Sequence, residues 1–310
     1  MRPIPDLISI HDLAREQVSG ILDLAVRIKT SPATYRNALP GKTLAMIFEK
    51  PSLRTRVSFE AGMTQLGGHA INLAPADISM GARESIPDVA RTLSGMVDGI
   101  MARTFSHQAI VDLARHATVP VINGLSDHLH PCQALADFLT IREALGRTQG
   151  VKVAYVGDGN NVTHSLMYAA AKLGAHLRAA TPPGYEPDAD VVRQAREDAA
   201  VTGARLEAGH DVEAAVAGAD VVYTDTWASM GQEAEHDARV VAFRPYQVNA
   251  SVMARAGPGA IFMHCLPAHR GEEVTDEVID SKASVVFQQA ANRLHAQKAI
   301  LALLLGERGT

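Results

Sequence analysis

The feature that most constrains the fold of this chain is a repeated alternation of short, β-rich apolar runs with stretches of helical periodicity. Strands joined through helices pair in parallel, because a long crossover returns the chain to the same end of the sheet. The pattern therefore predicts an α/β fold of mainly parallel sheets flanked by helices. The strands predicted in the first half are Thr43–Phe48, Ala70–Leu73, Gly99–Ala102 and Val119–Ile122.

Helices and a second set of strands complete this prediction. Apolar residues at helical spacing predict helices at Thr55–Leu66, Ser85–Val97 and Pro131–Leu145, and a long last helix at Gln289–Leu305. The strands predicted in the second half are Val151–Val156, His176–Ala180, Val221–Thr224, Ala260–His264 and Val285–Phe287.

Chain length predicts two domains, since 310 residues exceed the size that one hydrophobic core usually serves. The segment Gly146–Gly150 is polar, has glycine at both ends and directly precedes an apolar run, so it is the predicted boundary. The first domain is expected at residues 1–146 and the second at residues 150–288. The last helix, at residues 289–306, is long enough to pack back on the first domain.

Charge and cysteine content narrow the classes of partner. The net charge of −5 leaves no basic excess for a nucleic-acid backbone and favours small-molecule partners. Charges interrupt each apolar run in residues 1–30 before it reaches the length of a signal core or membrane span, so we expect a cytoplasmic protein without a membrane partner. Cys132 and Cys265 are too few for a disulfide framework and are interpreted as reduced thiols.

The run SLRTR, from Ser52 to Arg56, follows the first predicted strand and enters a helix. A helix start presents backbone amides and the positive end of its dipole, and the arginines add charge-assisted donors. Such a segment is typical of an anion site. The alternative is a serine N-cap followed by solvated arginines, and the strand-to-helix context favours phosphate.

The run DHLHPCQ, from Asp127 to Gln133, lies where the fourth predicted strand gives way to a helix. Ligands bind at this carboxyl edge of parallel sheets. The alternating His128, His130 and Cys132 make a metal site conceivable, but zinc needs about four ligands and no second cluster is evident. A histidine with Gln133 is better suited to hydrogen-bonding an uncharged carbonyl or amide.

Three polar runs follow strands of the second half and are expected at its ligand edge. The run GDGNN, from Gly157 to Asn161, lacks the third glycine and the later acidic residue of a dinucleotide fingerprint, so a turn presenting Asn160 and Asn161 is the better interpretation. The other two runs, TDTWASMGQE and HCLPAHRGEE, place Asp225 and Cys265 in loops, although a lone cysteine is more often a packed core thiol.

Taken together, SLRTR, HPCQ, SMGQE and HCLP, in this order and at these intervals, resemble the aspartate/ornithine carbamoyltransferase family over nearly the whole chain. The resemblance implies a carbamoyl phosphate domain followed by an ornithine domain. It also implies transfer of a carbamoyl group to the side-chain amine of L-ornithine, without metal or organic cofactor, by a homotrimer or a multiple of trimers.

The resemblance also implies roles for individual residues. The residues implied to bind carbamoyl phosphate are Ser52, Leu53, Arg54, Thr55, Ser79, Arg103, His130, Gln133, Cys265, Leu266 and Arg293. Ornithine binding falls to Asn161, Asp225, Ser229 and Met230. The residues implied to be catalytic are Arg103, His130, Asp225 and Cys265.

Two positions depart from the family pattern. Leu53 stands where the family usually has threonine, which removes one hydroxyl donor, and Ser79 stands where related enzymes often have a longer polar residue. A neutral hydrogen bond is worth about 0.5–1.5 kcal/mol, so a main contact through the amide of Leu53 would lower affinity little.

The sequence leaves three other functions open. The nearest is a sister carbamoyltransferase acting on putrescine or an acylated ornithine, against which Asp225 and the SMG triplet argue. More distant are a metal-dependent hydrolase using His128, His130 and Cys132, and a non-catalytic binding subunit that keeps the fold.

Overall fold

A computed structural model describes residues 4–228 and 233–306. These residues divide into two compact units. Unit 1 contains residues 4–139 and 292–306, and unit 2 contains residues 140–228 and 233–291. The division falls inside two helices, at residues 139/140 and 291/292, so each of these helices contributes residues to both units.

Unit 1 is built on a parallel four-stranded sheet. Its strands are β1 (Thr43–Phe48), β2 (His69–Leu73), β3 (Gly99–Arg103) and β4 (Val121–Leu125). Its helices are α1 (Arg15–Thr30), a 3₁₀ turn (Pro32–Tyr35), α2 (Leu53–Gln65), α3 (Pro75–Ile78), α4 (Ile86–Ser94), α5 (His107–His116) and the first part of α6 (Pro131–Leu145).

The strand order β2-β1-β3-β4 reverses direction between β1 and β3. A parallel sheet leaves a crevice at such a switch point, beyond the carboxyl ends of the two strands. Phe48 at the end of β1 pairs with Arg103 at the end of β3, so SLRTR and Arg103 leave the sheet side by side. Beneath them, Ile47, Ile100 and Ile110 belong to a core with almost no exposed surface.

Unit 2 is built on a parallel five-stranded sheet. Its strands are β5 (Lys152–Val156), β6 (His176–Ala180), β7 (Leu206–Gly209), β8 (Val221–Thr224) and β9 (Ile261–His264). The remaining helices of the chain are α7 (Asn161–Leu173), α8 (Ala189–Ala199), α9 (Val212–Val216), 3₁₀ turns (Glu233–Glu235 and Arg244–Tyr246), α10 (His236–Phe243), α11 (Ala250–Met253), α12 (Asp276–Ile279) and α13 (Val286–Leu305).

The order β7-β6-β5-β8-β9 places the switch point of unit 2 between β5 and β8. The loops that leave these two strands carry GDGNN and Asp225, and the neighbouring β9 ends at His264 beside Cys265. All residues of β8 and β9 are buried. Strands covered on both faces read as continuous apolar runs, which explains why the sequence revealed them so clearly.

The α/β class with two parallel-sheet units is confirmed, and several strands have the predicted bounds, among them Thr43–Phe48 and His176–Ala180. The predicted strand Val285–Phe287 is wrong. Only an isolated bridge joins Ser284 to Phe262, and α13 begins at Val286. A three-residue apolar run does not distinguish a strand from the first turn of a buried helix. Strand β7 was not predicted, because most of its residues are exposed and two are Glu and Gly.

Helix α13 contributes its residues from 292 onward to unit 1, as expected of a last helix that packs back on the first domain. Asn292 accepts a 2.8 Å hydrogen bond from Lys29 Nζ, and Lys298 Nζ donates one of 3.0 Å to Gln65. None of the described helices is long and apolar enough to cross a bilayer.

Candidate active site

The first candidate region is the N-terminus of α2, which begins at Leu53. Ser52 is its N-cap, and its hydroxyl accepts a 3.2 Å hydrogen bond from the amide of Thr55. The cap turns the chain sharply from the end of β1 into a helix of 13 residues whose first turn points amides outward. The SLRTR segment therefore begins a helix, as predicted, and has the geometry of an anion site.

Three predicted residues from different parts of the sequence meet in a buried network of unit 1. Arg293 on α13 donates from Nη1 to Gln133 Oε1 at 2.6 Å and from Nη2 to Thr55 Oγ1 at 3.2 Å. Gln133 in turn donates from Nε2 to Asp137 Oδ1 at 2.8 Å. Arg293, Gln133 and Thr55 are each at most 2 % exposed. Because buried polar groups held this way lose little entropy when a ligand arrives, the network is pre-organised for binding.

His130 lies directly before α6 and is buried. Burial, reinforced by the positive charges of Arg293, Arg103 and Arg54, holds the pKa of His130 well below its usual range. The imidazole is therefore neutral at physiological pH. A neutral imidazole among arginines can donate a hydrogen bond to a carbonyl oxygen without adding another charge.

Cys132, two residues later, has no comparable chemistry. Burial raises the pKa of its thiol to about 12, and its Sγ donates to the backbone oxygen of Asn123 at 3.3 Å. The described residues contain clusters of side chains close enough to share a metal ion. His128, His130 and Cys132 belong to none of these clusters. The metal-dependent alternative therefore gains no support at this position.

Two predicted residues of this region have exposed side chains. Leu53 is 72 % exposed, so its main polar contribution at the helix start is its backbone amide. Ser79 follows α3 in the left-handed conformation, with φ of 42°, and its hydroxyl donates to the backbone oxygen of Pro75 at 2.9 Å. The assignment of both residues to the phosphate site stays a prediction.

Lys50 is a candidate that the sequence analysis did not select. It is 8 % exposed, and its ammonium lies 4.2 Å from the centroid of the Phe105 ring. A buried lysine between β1 and α2 adds a third cation to the run that holds Arg54 and Arg56. Its position at the junction between a predicted strand and a predicted helix could have identified it from the sequence.

The second candidate region is at the switch point of unit 2, where Asp225 follows β8. Its Oδ1 accepts from Cys265 Sγ at 2.9 Å and from the amide of Thr226 at 2.8 Å. Its Oδ2 accepts from Asn160 Nδ2 at 2.9 Å. Loops after β5, β8 and β9 thus converge on one carboxylate, as expected from their shared sheet edge.

The asparagine seen to donate to Asp225 is Asn160. Asn160 is also the N-cap of α7, where its Oδ1 accepts from the amides of Val162 and Thr163. Asn161 occupies the first helical position. Capping fixes the Asn160 amide so that its Nδ2 faces Asp225, a consequence of helix geometry that neighbouring asparagines in a sequence do not reveal.

His264 and Glu273 hold the loop that carries Cys265 and Leu266. His264 Nδ1 accepts from the amide of Leu266 at 2.8 Å, so the ring proton is on Nε2, which donates to Glu273 Oε1 at 3.1 Å. Leu266 has a left-handed backbone with φ of 58°, which is unfavourable for a branched side chain. These hydrogen bonds keep it there. Glu273 was not predicted from the sequence.

Asp158 and Arg239 form a buried ion pair with an Nη1–Oδ2 distance of 3.0 Å. The same guanidinium donates from Nη1 to the backbone oxygen of Trp227 at 2.9 Å. Burial raises the pKa of Asp158 to about 6 despite Arg239. The pair ties the turn after β5 to the loop after β8 and was not predicted.

The predicted ornithine residues Ser229 and Met230 lie outside the described residues. Their assignment, like the other assignments of individual residues to substrates, stays a prediction.

Comparisons with known proteins identify relatives of both halves. The family described as "Aspartate/ornithine carbamoyltransferase, carbamoyl-P binding domain" matches residues 5–143, and "Aspartate/ornithine carbamoyltransferase, Asp/Orn binding domain" matches residues 149–304. The chain is 57 % identical over 303 residues to the ornithine carbamoyltransferase of Thermococcus kodakarensis and to the anabolic ornithine carbamoyltransferase of Pyrococcus furiosus, covering 97 % of this chain and 96 % of each relative.

Solved structures show the same likeness. The ornithine carbamoyltransferase structure from Pyrococcus furiosus superposes with a TM-score of 0.96 at 56 % identity, covering 99 % of both chains. The structure from Thermus thermophilus superposes with a TM-score of 0.87 at 44 % identity, covering 97 % of this chain and 99 % of that one.

Proposed function

The chain belongs to the aspartate/ornithine carbamoyltransferase family, and on that premise we propose how it acts as an enzyme. It transfers the carbamoyl group of carbamoyl phosphate to the side-chain amine of L-ornithine, giving L-citrulline and phosphate. The observation that carries this function is the nearly full-length identity of 57 % to ornithine carbamoyltransferases, in a chain whose unit 2 holds a buried carboxylate, Asp225, at the carboxyl edge of its sheet.

Unit 1 binds carbamoyl phosphate. The start of α2 and Arg54 hold the phosphate, because amides, helix dipole and guanidinium all favour a dianion. The neutral imidazole of His130 and the guanidinium of Arg103 donate to the carbamoyl oxygen. Thr55, Gln133 and Arg293, already joined by hydrogen bonds, position these donors and receive the remaining oxygens.

Unit 2 binds ornithine and prepares its amine. A side-chain ammonium has an ordinary pKa of about 10.4 and must lose a proton before its nitrogen can attack. Asp225, held by Asn160 and Cys265, accepts hydrogen bonds from the amine and assists that proton loss. Asn161, Ser229 and Met230 are proposed to hold the amino-acid end of the substrate.

The reaction proceeds by addition and elimination. The amine nitrogen attacks the carbonyl carbon, and the carbonyl π electrons move to oxygen, where Arg103, His130 and Thr55 stabilise the negative charge. The nitrogen then loses its second proton as the carbonyl re-forms and the C–O bond to phosphate breaks. Arg54 stabilises the departing phosphate, and Leu266 with Cys265 lines the site beside the reacting groups.

A citrulline-forming assay with carbamoyl phosphate and ornithine tests the function. Ornithine, putrescine and aspartate are compared at equal concentration, and the expected result is product with ornithine alone. Faster product formation from putrescine would identify a sister carbamoyltransferase instead. Activity should persist after metal ions are removed with a chelator.

The proposal also includes a cytoplasmic location, a homotrimer or multiple of trimers, and a role in arginine biosynthesis.

A further inference from the structure

A cluster of four metal-binding side chains lies in unit 2 outside the proposed ornithine contacts. The turn after β9 carries His269, Glu272 and Glu273, and the first residue of α10 is His236. We propose that these four residues bind a divalent transition-metal ion of the zinc class. The proposal rests on the cluster alone and not on the proposed carbamoyl transfer.

The spacing of three of these four side chains fits one ion. One ligand atom each from His269, Glu272 and Glu273 lie within 4.8 Å of one another. His236 Nε2 lies 3.3 Å from Glu272 Oε1, and His269 Nδ1 lies 3.8 Å from Glu272 Oε2. A tetrahedral zinc ion with bonds of about 2.0–2.2 Å holds its ligand atoms roughly 3.4 Å apart. The group within 4.8 Å does not include His236, so a rotation of its partly exposed side chain has to bring in the fourth ligand.

Glu273 is the observation that points to a cation. Its side chain has no exposed surface, and its Oε1 accepts from His264 Nε2 and from the amide of His269. Among the described residues, its buried Oε2 has no hydrogen-bond partner. Leaving a buried polar atom without a partner costs about 1–3 kcal/mol, and more when it is charged. The contacts of Glu272 with the two histidines do not satisfy this oxygen, whereas a metal ion bound through it would.

The ligand set also indicates which metal. Two imidazoles and two carboxylates suit zinc, nickel, cobalt or copper, whereas magnesium and calcium prefer oxygen ligands throughout. The other oxygen of Glu273 accepts from His264 Nε2, and such outer hydrogen bonds orient ligating carboxylates in metal sites.

The test uses the full chain, freed of metal by a chelator and dialysis. Zinc binding is measured by isothermal titration calorimetry, and cobalt binding by visible absorption. His269→Ala and Glu272→Gln remove ligands that are partly exposed, so both variants should fold. His210→Ala is the matched control, because His210 Nε2 also lies near a carboxylate, 3.7 Å from Glu186, at a similar surface exposure.

A second cluster, formed by Asp225, His264 and Cys265, competes for the same probe, because its ligand atoms also lie within 4.8 Å. Cys265→Ser removes that competitor. The proposal predicts one ion per chain, binding at least tenfold weaker in His269→Ala and Glu272→Gln, and unchanged binding in His210→Ala and Cys265→Ser. Absence of binding overturns the proposal. Binding that survives His269→Ala but is lost in Cys265→Ser overturns it too, because the ion then belongs to the other cluster.

Discussion

The two candidate regions place opposite charges at equivalent positions of similar sheets. In unit 1, the loops at the switch point carry arginines, and Arg293 links Thr55 to Gln133. In unit 2, the corresponding loops carry a carboxylate, and Asp225 links Asn160 to Cys265. The fold therefore supplies the location, and the residues at the strand ends decide whether a phosphate or an amine is bound.

The two regions also differ in which buried group has a shifted pKa. Burial, reinforced by the arginines around it, lowers the pKa of the His130 imidazole and keeps it neutral. Burying Asp158 near Asp225 raises the pKa of Asp158, although Arg239 partly compensates. In both units burial is the first cause, and like charges nearby add to the shift of the titratable group towards its neutral form.

The largest effect should follow from breaking the acceptor in unit 2. Asp225→Asn keeps the shape of the side chain but removes the charge that assists proton loss from the amine, so kcat should fall by about 100- to 10,000-fold. The KM for carbamoyl phosphate should change little, because unit 1 is intact. Steady-state kinetics with both substrates check this. An unchanged kcat would exclude Asp225 from proton transfer.

The second-largest effect should be an opposite pH dependence of the free energy of unfolding contributed by the two regions. The pKa of Asp158 is raised from 3.8 to about 6, so the folded protein binds this proton more tightly than the unfolded chain. Its contribution to the free energy of unfolding should therefore fall by roughly 3 kcal/mol as pH rises from about 4 to about 6. The pKa of His130 is lowered, so its contribution is present above about pH 6.5 and is lost as pH falls below that value.

Chemical denaturation of the wild type, Asp158→Asn and His130→Asn across pH 4–8 measures both contributions. The difference between wild type and Asp158→Asn should change mainly below pH 6, and the difference for His130→Asn should change with the opposite sign. Parallel profiles for the two variants would contradict the opposite electrostatics of the units.

A smaller effect is expected from removing Arg54, the proposed phosphate-binding arginine at the start of α2. Hydrogen bonds to charged groups are worth about 1.5–3 kcal/mol, so Arg54→Ala should weaken carbamoyl phosphate binding by about 10- to 150-fold. Arg56→Ala is the matched control, because Arg56 is exposed on the same helix turn and pairs with Glu60 at 3.0 Å. Direct binding of carbamoyl phosphate to both variants decides the matter. Equal losses would remove the phosphate assignment from Arg54.

The smallest effect is expected at Leu53. Because the Leu53 side chain is exposed and its amide is in the first helical turn, Leu53→Thr should change carbamoyl phosphate affinity by about threefold or less. Titration of both proteins with carbamoyl phosphate checks this. A gain of tenfold or more would show that a hydroxyl at this position contacts the phosphate and that the leucine weakens the site.

Prediction from sequence succeeded where a local pattern determines structure. Ser52 followed by Leu53–Gln65 gives a capped helix after a buried strand, and that junction was predicted from adjacent residues. It failed at Val285–Phe287, where the chain makes only an isolated bridge to β9 and α13 begins at Val286, because a three-residue apolar run fits the first turn of a buried helix as well as a strand. The contact of Asn160 with Asp225 was likewise out of reach, since capping geometry fixes the position of the Asn160 amide.

The sequence by itself determined the α/β class, the two units, the family and the loops that carry charge, because these depend on periodicity, length and residue type along the chain. Only the tertiary structure decided which side chains touch. Arg293 donates a hydrogen bond to Thr55, which is 238 residues away in the sequence, and His264 donates one to Glu273 next to the loop of Cys265. Such contacts depend on how strands order within a sheet and how helices pack on it, and neither is encoded in any local stretch of sequence.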